Sequence, residues 1–292
     1  MTSETLPRVR AGRPPGIEPR GKGLLKHAMI IGFGFVMLYP LLWLLSSSFK
    51  PTEVIFREPS LLPSKVQFSN YTEGWTALAH PFQHYLWNSA LIAVLAIVGN
   101  LLTCSLAAYA FARVEFPLKK LWFALMLGTI MLPIHVLIVP QYVLFSKLDW
   151  INTILPLVVP KFLAHDAFFV FLMVQFIRGL PRELDEAARL DGCGHFRIYA
   201  RIVMPLCLPA LATSAVFTFI WTWNDFFSQL IFLTDPDKYT VPVALRSFMD
   251  AQSGTSWGPL FAMSVVALVP IFGFFLAGQR YLTRGIATTG LK

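Results

Sequence analysis

Charge is scarce in this chain. Of its 292 residues only 14% are Asp, Glu, Lys or Arg, while 55% are hydrophobic and the mean hydropathy is +0.60. Ordinary soluble domains hold about 25% charged and roughly 45–50% apolar residues, so an ordinary soluble fold is excluded. Cysteine is sparse as well: Cys104, Cys193 and Cys207 are too scattered to frame disulfides or a metal site. The six histidines, at 27, 80, 84, 135, 165 and 195, fall in different segments and converge on no nucleophile, base or ligand set. No catalytic residue and no metal site are therefore assigned, and an enzyme is not expected. No internal repeat of the kind common in secondary transporters stands out. Gly16 to Gly23 approaches a phosphate-loop spacing, but Gly23 stands where magnesium needs Ser or Thr, and the flanking strand and helix are missing from the pattern. The chain is expected to bind no ATP and no other cofactor itself.

Long uncharged runs are what the sequence does contain. A helix crossing the hydrocarbon core needs about 20 residues, and 28–48, 85–112, 121–146, 202–224 and 251–279 carry no Asp, Glu, Lys or Arg. A sixth apolar stretch, 151–177, is divided by Lys161 and Asp166. The expected fold is an all-α polytopic membrane protein with six transmembrane helices at about 28–48, 85–111, 121–145, 151–177, 206–233 and 258–280. These belong to one transmembrane domain, 24–292, preceded by a disordered basic arm, 1–23, rich in Pro, Gly and Arg. The first apolar run is too long for the core of a cleaved signal peptide, so no cleavage is expected.

Lys and Arg are retained on the cytoplasmic side of a membrane more often than they are translocated. With the N-terminus inside, the inner segments hold six basic residues before span 1, then Arg113, Lys119 and Lys120, five from Arg178 to Arg201, and three in the tail. The outer loops hold only Lys50, Arg57, Lys65, Lys147, Lys238 and Arg246. Both termini are thus expected in the cytoplasm, and the net charge of +8 follows from this bias without any nucleic-acid partner. Trp87, Trp122, Trp150 and Trp257 fall near span ends, where an indole prefers the headgroup level. Reporter fusions after Arg113, Arg197 and Lys292 should report cytoplasm, and those after Lys65, Lys147 and Lys238 the outside. The same side for fusions after Lys147 and Arg197 would break the six-span topology.

Between spans 4 and 5, at 178–205, lies a hydrophilic loop containing "GLPRELDEAARLDGCGHFRIYARIVMPL" from Gly179. Pro181 suits a first helical turn, Glu183, Asp185 and Glu186 suit the positive end of a helix dipole, and Arg182–Glu186 and Asp185–Arg189 are spaced to pair. A helix over 181–190 follows. Asp191 and Gly192 mark a turn, and Phe196, Tyr199, Ala200 and Val203 recur at helical spacing up to Pro205. The loop is expected to be a helix-turn-helix whose first helix offers Leu184, Ala187 and Ala188 as a small apolar patch for another protein.

Glu186, Ala187, Ala188, Asp191, Gly192, then Ile202 and Pro205 resemble the EAA loop of bacterial ABC import permeases, with Met204 where Leu is usual. "SSSFKP" from Ser46, "WNDFF" from Trp223 and "RGIATTGLK" from Arg284 extend the resemblance over roughly 24–292 to the maltose-permease-like carbohydrate branch. That resemblance implies a multi-pass subunit of the bacterial inner membrane that imports a sugar or related polyol. The implied partners are a homologous second permease, two ATPase subunits that bind ATP and magnesium, an extracytoplasmic solute-binding protein and membrane lipid. The EAA residues would couple to the ATPase. Glycerol phosphate or another small polar solute is the alternative cargo.

Polar residues inside spans point to the path of that solute. Lys161, His165 and Asp166 lie within span 4, where ionisable groups are unfavourable unless paired or facing a polar cavity. Trp221, Trp223, Asn224, Asp225 and Gln229 cluster in span 5, and rings with amide and carboxylate groups suit a polyhydroxylated solute. Packing within the bundle is the competing role for both groups. A proton relay through His165 and Asp166, as in a proton-coupled secondary transporter, is the distant alternative.

Overall fold

The computed structural model describes residues 20–250 and 254–289. Most of residues 1–23, expected as a disordered arm, and the last three residues of the tail motif lie outside them. The described residues are almost wholly helical, the only strands being a two-residue pair, Met249–Asp250 with Gly254–Thr255. Four helices are long and apolar enough to cross a membrane, or up to six if each bent pair of shorter helices is one span.

The centre of the bundle is α3 (Phe82–Arg113), the one long helix without an internal proline, which begins directly after Pro81. Between the larger Phe82, Tyr85, Ile92, Asn100 and Tyr109, its buried face is built of small residues: Ser89, Ala93, Ala96, Gly99, Cys104, Ser105, Ala108 and Ala112. Small side chains let neighbouring backbones approach within a membrane, where apolar surface alone gives no preference for helix over lipid. Packed on this face are α7 (Ala167–Arg178) and α11 (Leu208–Trp223), and α11 in turn packs on α14 (Trp257–Thr289). A buried hydrogen bond from Asn100 Nδ2 to Thr218 Oγ1, 2.7 Å, fixes α3 against α11.

By contrast α1 (Arg20–Ser47) buries almost nothing until Ser46. Among the described residues only its last turns are covered, with Trp43 against Phe56 and Phe261, and the apolar side chains from Met29 to Leu38 are mostly open. The helix also starts at Arg20, so the last residues of the expected arm belong to it.

Three of the expected spans are broken rather than straight. Span 3 is α4 (Lys119–Thr129) and α5 (Ile134–Lys147), which meet at 99° across a break ending in Pro133. Span 4 is α6 (Leu155–Val158), a 3-10 turn (Val159–Leu163) and α7, with Ala164 left-handed at φ 52°. Pro156 and Pro160 weaken the helix there, and α3 supplies what the broken backbone lacks. Thr103 Oγ1 donates to the Lys161 carbonyl and accepts from the Ala164 N–H at 3.0 and 3.1 Å. Gly99 lets Phe162 lie against α3, since a Cβ there would sit 2.5 Å from the ring. Span 5 ends its first helix at Trp223 and resumes as α12 (Phe227–Phe232), short of the continuous 206–233 helix expected.

At the end of the bundle away from the loop, short elements tie the spans together. They include α2 (Ser69–Thr76) and α13 (Val241–Ser247). Lys50, read from sequence as a loop cation, is fully buried, with its Nζ donating to the Glu58 and Ser60 carbonyls. Asn70 Nδ2 donates to the Ser48 and Lys50 carbonyls of the same turn. His80 donates to the Asp237 carboxylate at 2.6 Å, and this hydrogen bond is the main cause holding that carboxyl below its ordinary pKa.

Candidate functional site

The breaks in spans 3, 4 and 5 meet at one cavity of about 480 Å³. Ile134 enters from the first residue of α5, Lys161 and Asp166 from the interruption of span 4, and Trp221, Thr222, Asn224, Asp225 and Gln229 from the end of α11 and the start of α12. Irregular backbone at membrane depth is tolerated where it is buried in protein or lines a polar cavity. Here it does the second.

Lys161 Nζ and Asp166 Oδ2 form a 2.8 Å ion pair, with both side chains mostly covered. A continuous helix through span 4 would put Lys161 and His165, four residues apart, on one face. Instead the chain turns between them, Lys161 pairs with Asp166, and the half-exposed His165 sits 3.5 Å from the other carboxylate oxygen. The pair is internally neutral, so it offers the cavity donors and acceptors rather than net charge.

On the opposite wall, Asn224 Nδ2 donates to the Ile220 carbonyl, leaving its amide oxygen free to accept. Asp225 Oδ1 accepts from the Ser228 N–H at 3.0 Å and thereby opens α12, with its second oxygen in reserve. Gln229 is buried and fixed, its Nε2 donating to the Thr222 carbonyl while Thr240 Oγ1 donates to its Oε1. Trp221 packs at a tilt against Phe168 and Phe169 and keeps about half its surface open.

Trp223 does not line this cavity. Its indole is buried against Phe219 and its Nε1 donates to the Ala267 carbonyl on α14 at 3.2 Å, which makes it a bolt between spans 5 and 6. Two positions separate it from Trp221, about 200° around a helix of 3.6 residues per turn, so the two indoles face opposite sides. Gln229, grouped with these residues in the sequence, lines the cavity one helical turn beyond Asp225.

The loop between spans 4 and 5 forms the second candidate region. Its first helix, α8, runs from Glu183 to Leu190, two residues later than expected. Asp185 and Ala188, one turn apart, face inward, while Glu186, Ala187 and Asp191 are exposed. Ala188 is therefore not part of an outer patch: it belongs to the core with Tyr109, Ala112 and Ile177, where a larger side chain would push α8 outward. The exposed apolar groups are Leu184, Leu190, at 90%, and, across the turn, Phe196, at 75%.

Asp185 forms an ion pair its spacing did not announce. Instead of pairing with Arg189, it lies 2.9 Å from Nε of Arg113 at the end of α3, with side chains only 9% and 3% exposed. The Nε–H is not aimed well at that oxygen, so the attraction is chiefly electrostatic. The directional bond is from Arg113 Nη2 to the Leu180 carbonyl, 2.8 Å. Among the described residues Arg182 and Glu186 form no ion pair. Gly192 turns the chain at φ +77° with open space around it, as the turn signal required.

Beyond the turn, α9 (His195–Ile198) passes through a π-helical turn, Tyr199–Val203, into α10 (Met204–Leu206). Pro205 does not end this segment. The run continues to Leu206 and bends by 77° into α11. Tyr199 shares a buried hydrogen bond with Ser105 of α3, 2.8 Å between hydroxyls, and His195 contacts the Tyr109 hydroxyl at 3.3 Å. Both halves of the loop are thus fastened to α3.

The profile of the binding-protein-dependent transport system inner membrane components matches residues 99–288. Two relatives span nearly all of this chain. The permease protein NgcG of a diacetylchitobiose uptake system in Streptomyces coelicolor is 31% identical, over 95% of this chain and 92% of its own. The arabinooligosaccharide permease AraQ of Halalkalibacterium halodurans is 33% identical, over 92% and 97%. Among solved structures, a chain of a bacterial ABC transporter that imports alginate superposes with a TM-score of 0.78 at 20% identity, over 93% of this chain and all of that one, a likeness of fold. This multi-pass chain belongs to the binding-protein-dependent transport system inner membrane components, the permease subunits of ABC importers.

Proposed function

We propose that this chain is half of the transmembrane pathway of an ATP-driven importer for an oligosaccharide or related polyol. The observation that carries the reading is the convergence of three broken spans on one cavity lined by an indole, amide groups, a carboxylate and a neutral ion pair. Rings accept the apolar faces of a sugar, and the free acceptors on Asn224 and Asp225 meet hydroxyl groups. The sugar-uptake relatives support that cargo class over a proton-coupled substrate. Lys161, Asp166, Trp221, Asn224, Asp225 and Gln229 line the path. His165 stands at its edge, and Trp223 holds the scaffold.

The loop end of the bundle faces the cytoplasm in this reading, with both termini on that side and residues 24–292 forming one transmembrane domain. Exposed Glu186, Ala187, Leu190, Asp191 and Phe196 meet an ATPase subunit. This chain is a transport subunit, and ATP and magnesium are handled by two such partners. A homologous permease covers apolar sides that this chain leaves open, and an extracytoplasmic solute-binding protein delivers the solute to the opposite face. Each partner shifts the alternating-access equilibrium only through unequal affinity for its two states.

Uptake by proteoliposomes containing the complete importer and its solute-binding protein tests the assignment. Asn224→Ala and Asp225→Ala should each lower sugar uptake about tenfold, the effect of losing one or two hydrogen bonds at about 1 kcal/mol each, with the ATPase still co-purifying. Normal uptake by normally assembled variants would remove the cavity from the path.

A further inference from the structure

We infer that a pocket between the end of span 2, the start of span 3 and the end of span 4 binds the headgroup of an anionic phospholipid. The pocket, of about 660 Å³, lies beside the loop that fastens to Arg113. Its walls are Phe116, Leu118 and Phe123, and its charged groups are Glu115, Lys119, Lys120 and Arg178.

Lys119 is already engaged: Nζ donates to the Val114 carbonyl at 2.8 Å and to the Glu115 carboxylate at 3.0 Å. Those two charges offset each other. Lys120 and Arg178 are exposed and form no ion pair among the described residues, and Arg178 is held over the Phe123 ring at 5.2 Å. Glu115 feels the charge of Lys120 as well as that of Lys119, but one carboxylate against three cations leaves the pocket with an excess of positive charge over an apolar floor. The ligand that satisfies both is an amphiphile with a negative head.

Its remaining part is placed by α4. Leu121, Trp122 and Leu125 run outward from the rim and are at least half exposed. An indole beside Lys side chains marks the headgroup level of a bilayer, and basic pockets between helix ends on the cytoplasmic side take anionic headgroups. A phosphate at Lys120 and Arg178 with acyl chains along Leu121, Trp122 and Leu125 fits this arrangement. A soluble phosphate compound would use the cations but leave the apolar stripe unoccupied.

The inference rests on the reading of these helix ends as membrane-embedded. It does not depend on which side they face, because a nanodisc presents the same lipid in both leaflets. The complete importer is assembled in nanodiscs of phosphatidylcholine mixed with phosphatidylglycerol, extracted, and its retained phosphatidylglycerol measured by native mass spectrometry. Each cation near a charged headgroup contributes about 5-fold, so Lys120→Gln with Arg178→Gln should lower retention roughly 30-fold. Arg178→Lys with Lys120→Arg keeps the charges and should retain the lipid. Lys65→Gln, at the far end, should leave it unchanged. Equal retention by the neutral double variant, with the ATPase still bound, would overturn the site. Displacement of the lipid by inorganic phosphate or glycerol phosphate alone would overturn its assignment to lipid. Sugar uptake in phosphatidylcholine alone is scored separately, so failure of the import reading is distinguishable from failure of the lipid site.

Discussion

Glu186→Lys and Gly192→Leu will each abolish coupled uptake while leaving the chain inserted in the membrane. Glu186 is exposed in the first turn of α8 and forms no ion pair within the described chain, so reversing its charge disturbs little inside the permease. A lysine beside the positive end of the helix dipole opposes that dipole by roughly 0.3–1 kcal/mol, too little to unfold an element fastened to α3. If this surface meets the ATPase as proposed, the loss should appear as weaker co-purification. Gly192 acts differently. No atom lies within 4 Å of a Cβ built there, so added volume is harmless, but φ +77° costs an ordinary L-residue about 1–2 kcal/mol.

That cost has to be relieved by reopening the turn, which swings α8 relative to α9. Alanine at 192 should therefore impair coupling nearly as much as leucine, whereas asparagine, which tolerates the left-handed region, should retain most of it. ATPase rate and sugar uptake measured together in proteoliposomes separate the two mechanisms: Glu186→Lys weakens docking, and Gly192→Leu gives hydrolysis that no longer responds to the loaded binding protein. Unmodified uptake with normal stimulation in both variants would show that neither residue couples.

The spans were legible because twenty uncharged residues in a row have few other destinies. The 33-residue α14 and the 32-residue α3 show this most plainly. The breaks were less legible. Pro133, Pro156 and Pro160 marked where a helix would weaken, but proline is tolerated inside membrane helices when neighbours satisfy the freed backbone. Whether Thr103 would reach Lys161 and Ala164, about sixty residues away in sequence, depends on packing that no local pattern encodes. The same holds for Trp223, whose composition resembles that of Trp221 and whose direction is set by the turn of α11. Ala188 was read as an outward patch because small residues carry no polarity by which to orient them. Gly192 was legible, since a turn after a helix end demands positive φ and glycine adopts it freely.

Arg113 was the residue most misread, counted only as a mark of topology, and it carries the last expected result. Arg113→Met alone, or Asp185→Asn alone, should destabilise the folded permease by about 3–5 kcal/mol, because each leaves the other charge buried without a counter-charge. Both side chains are nearly inaccessible, and Arg113 also loses its bond to the Leu180 carbonyl when truncated. Arg113→Met combined with Asp185→Leu replaces the pair by apolar groups of matched size, an exchange that is often neutral in a buried site. The double variant should therefore melt close to the unmodified protein although each single variant does not. If the pair serves only to fasten α8 to α3, uptake returns with stability, since Ala188, Tyr109 and Ile177 still pack together. Thermal unfolding of the detergent-solubilised importer and uptake by the same preparations give the two readouts. Single variants within about 1 kcal/mol of the parent would mean that the ion pair is wet or absent, and restored stability without restored uptake would mean that charge at this joint does more than hold it.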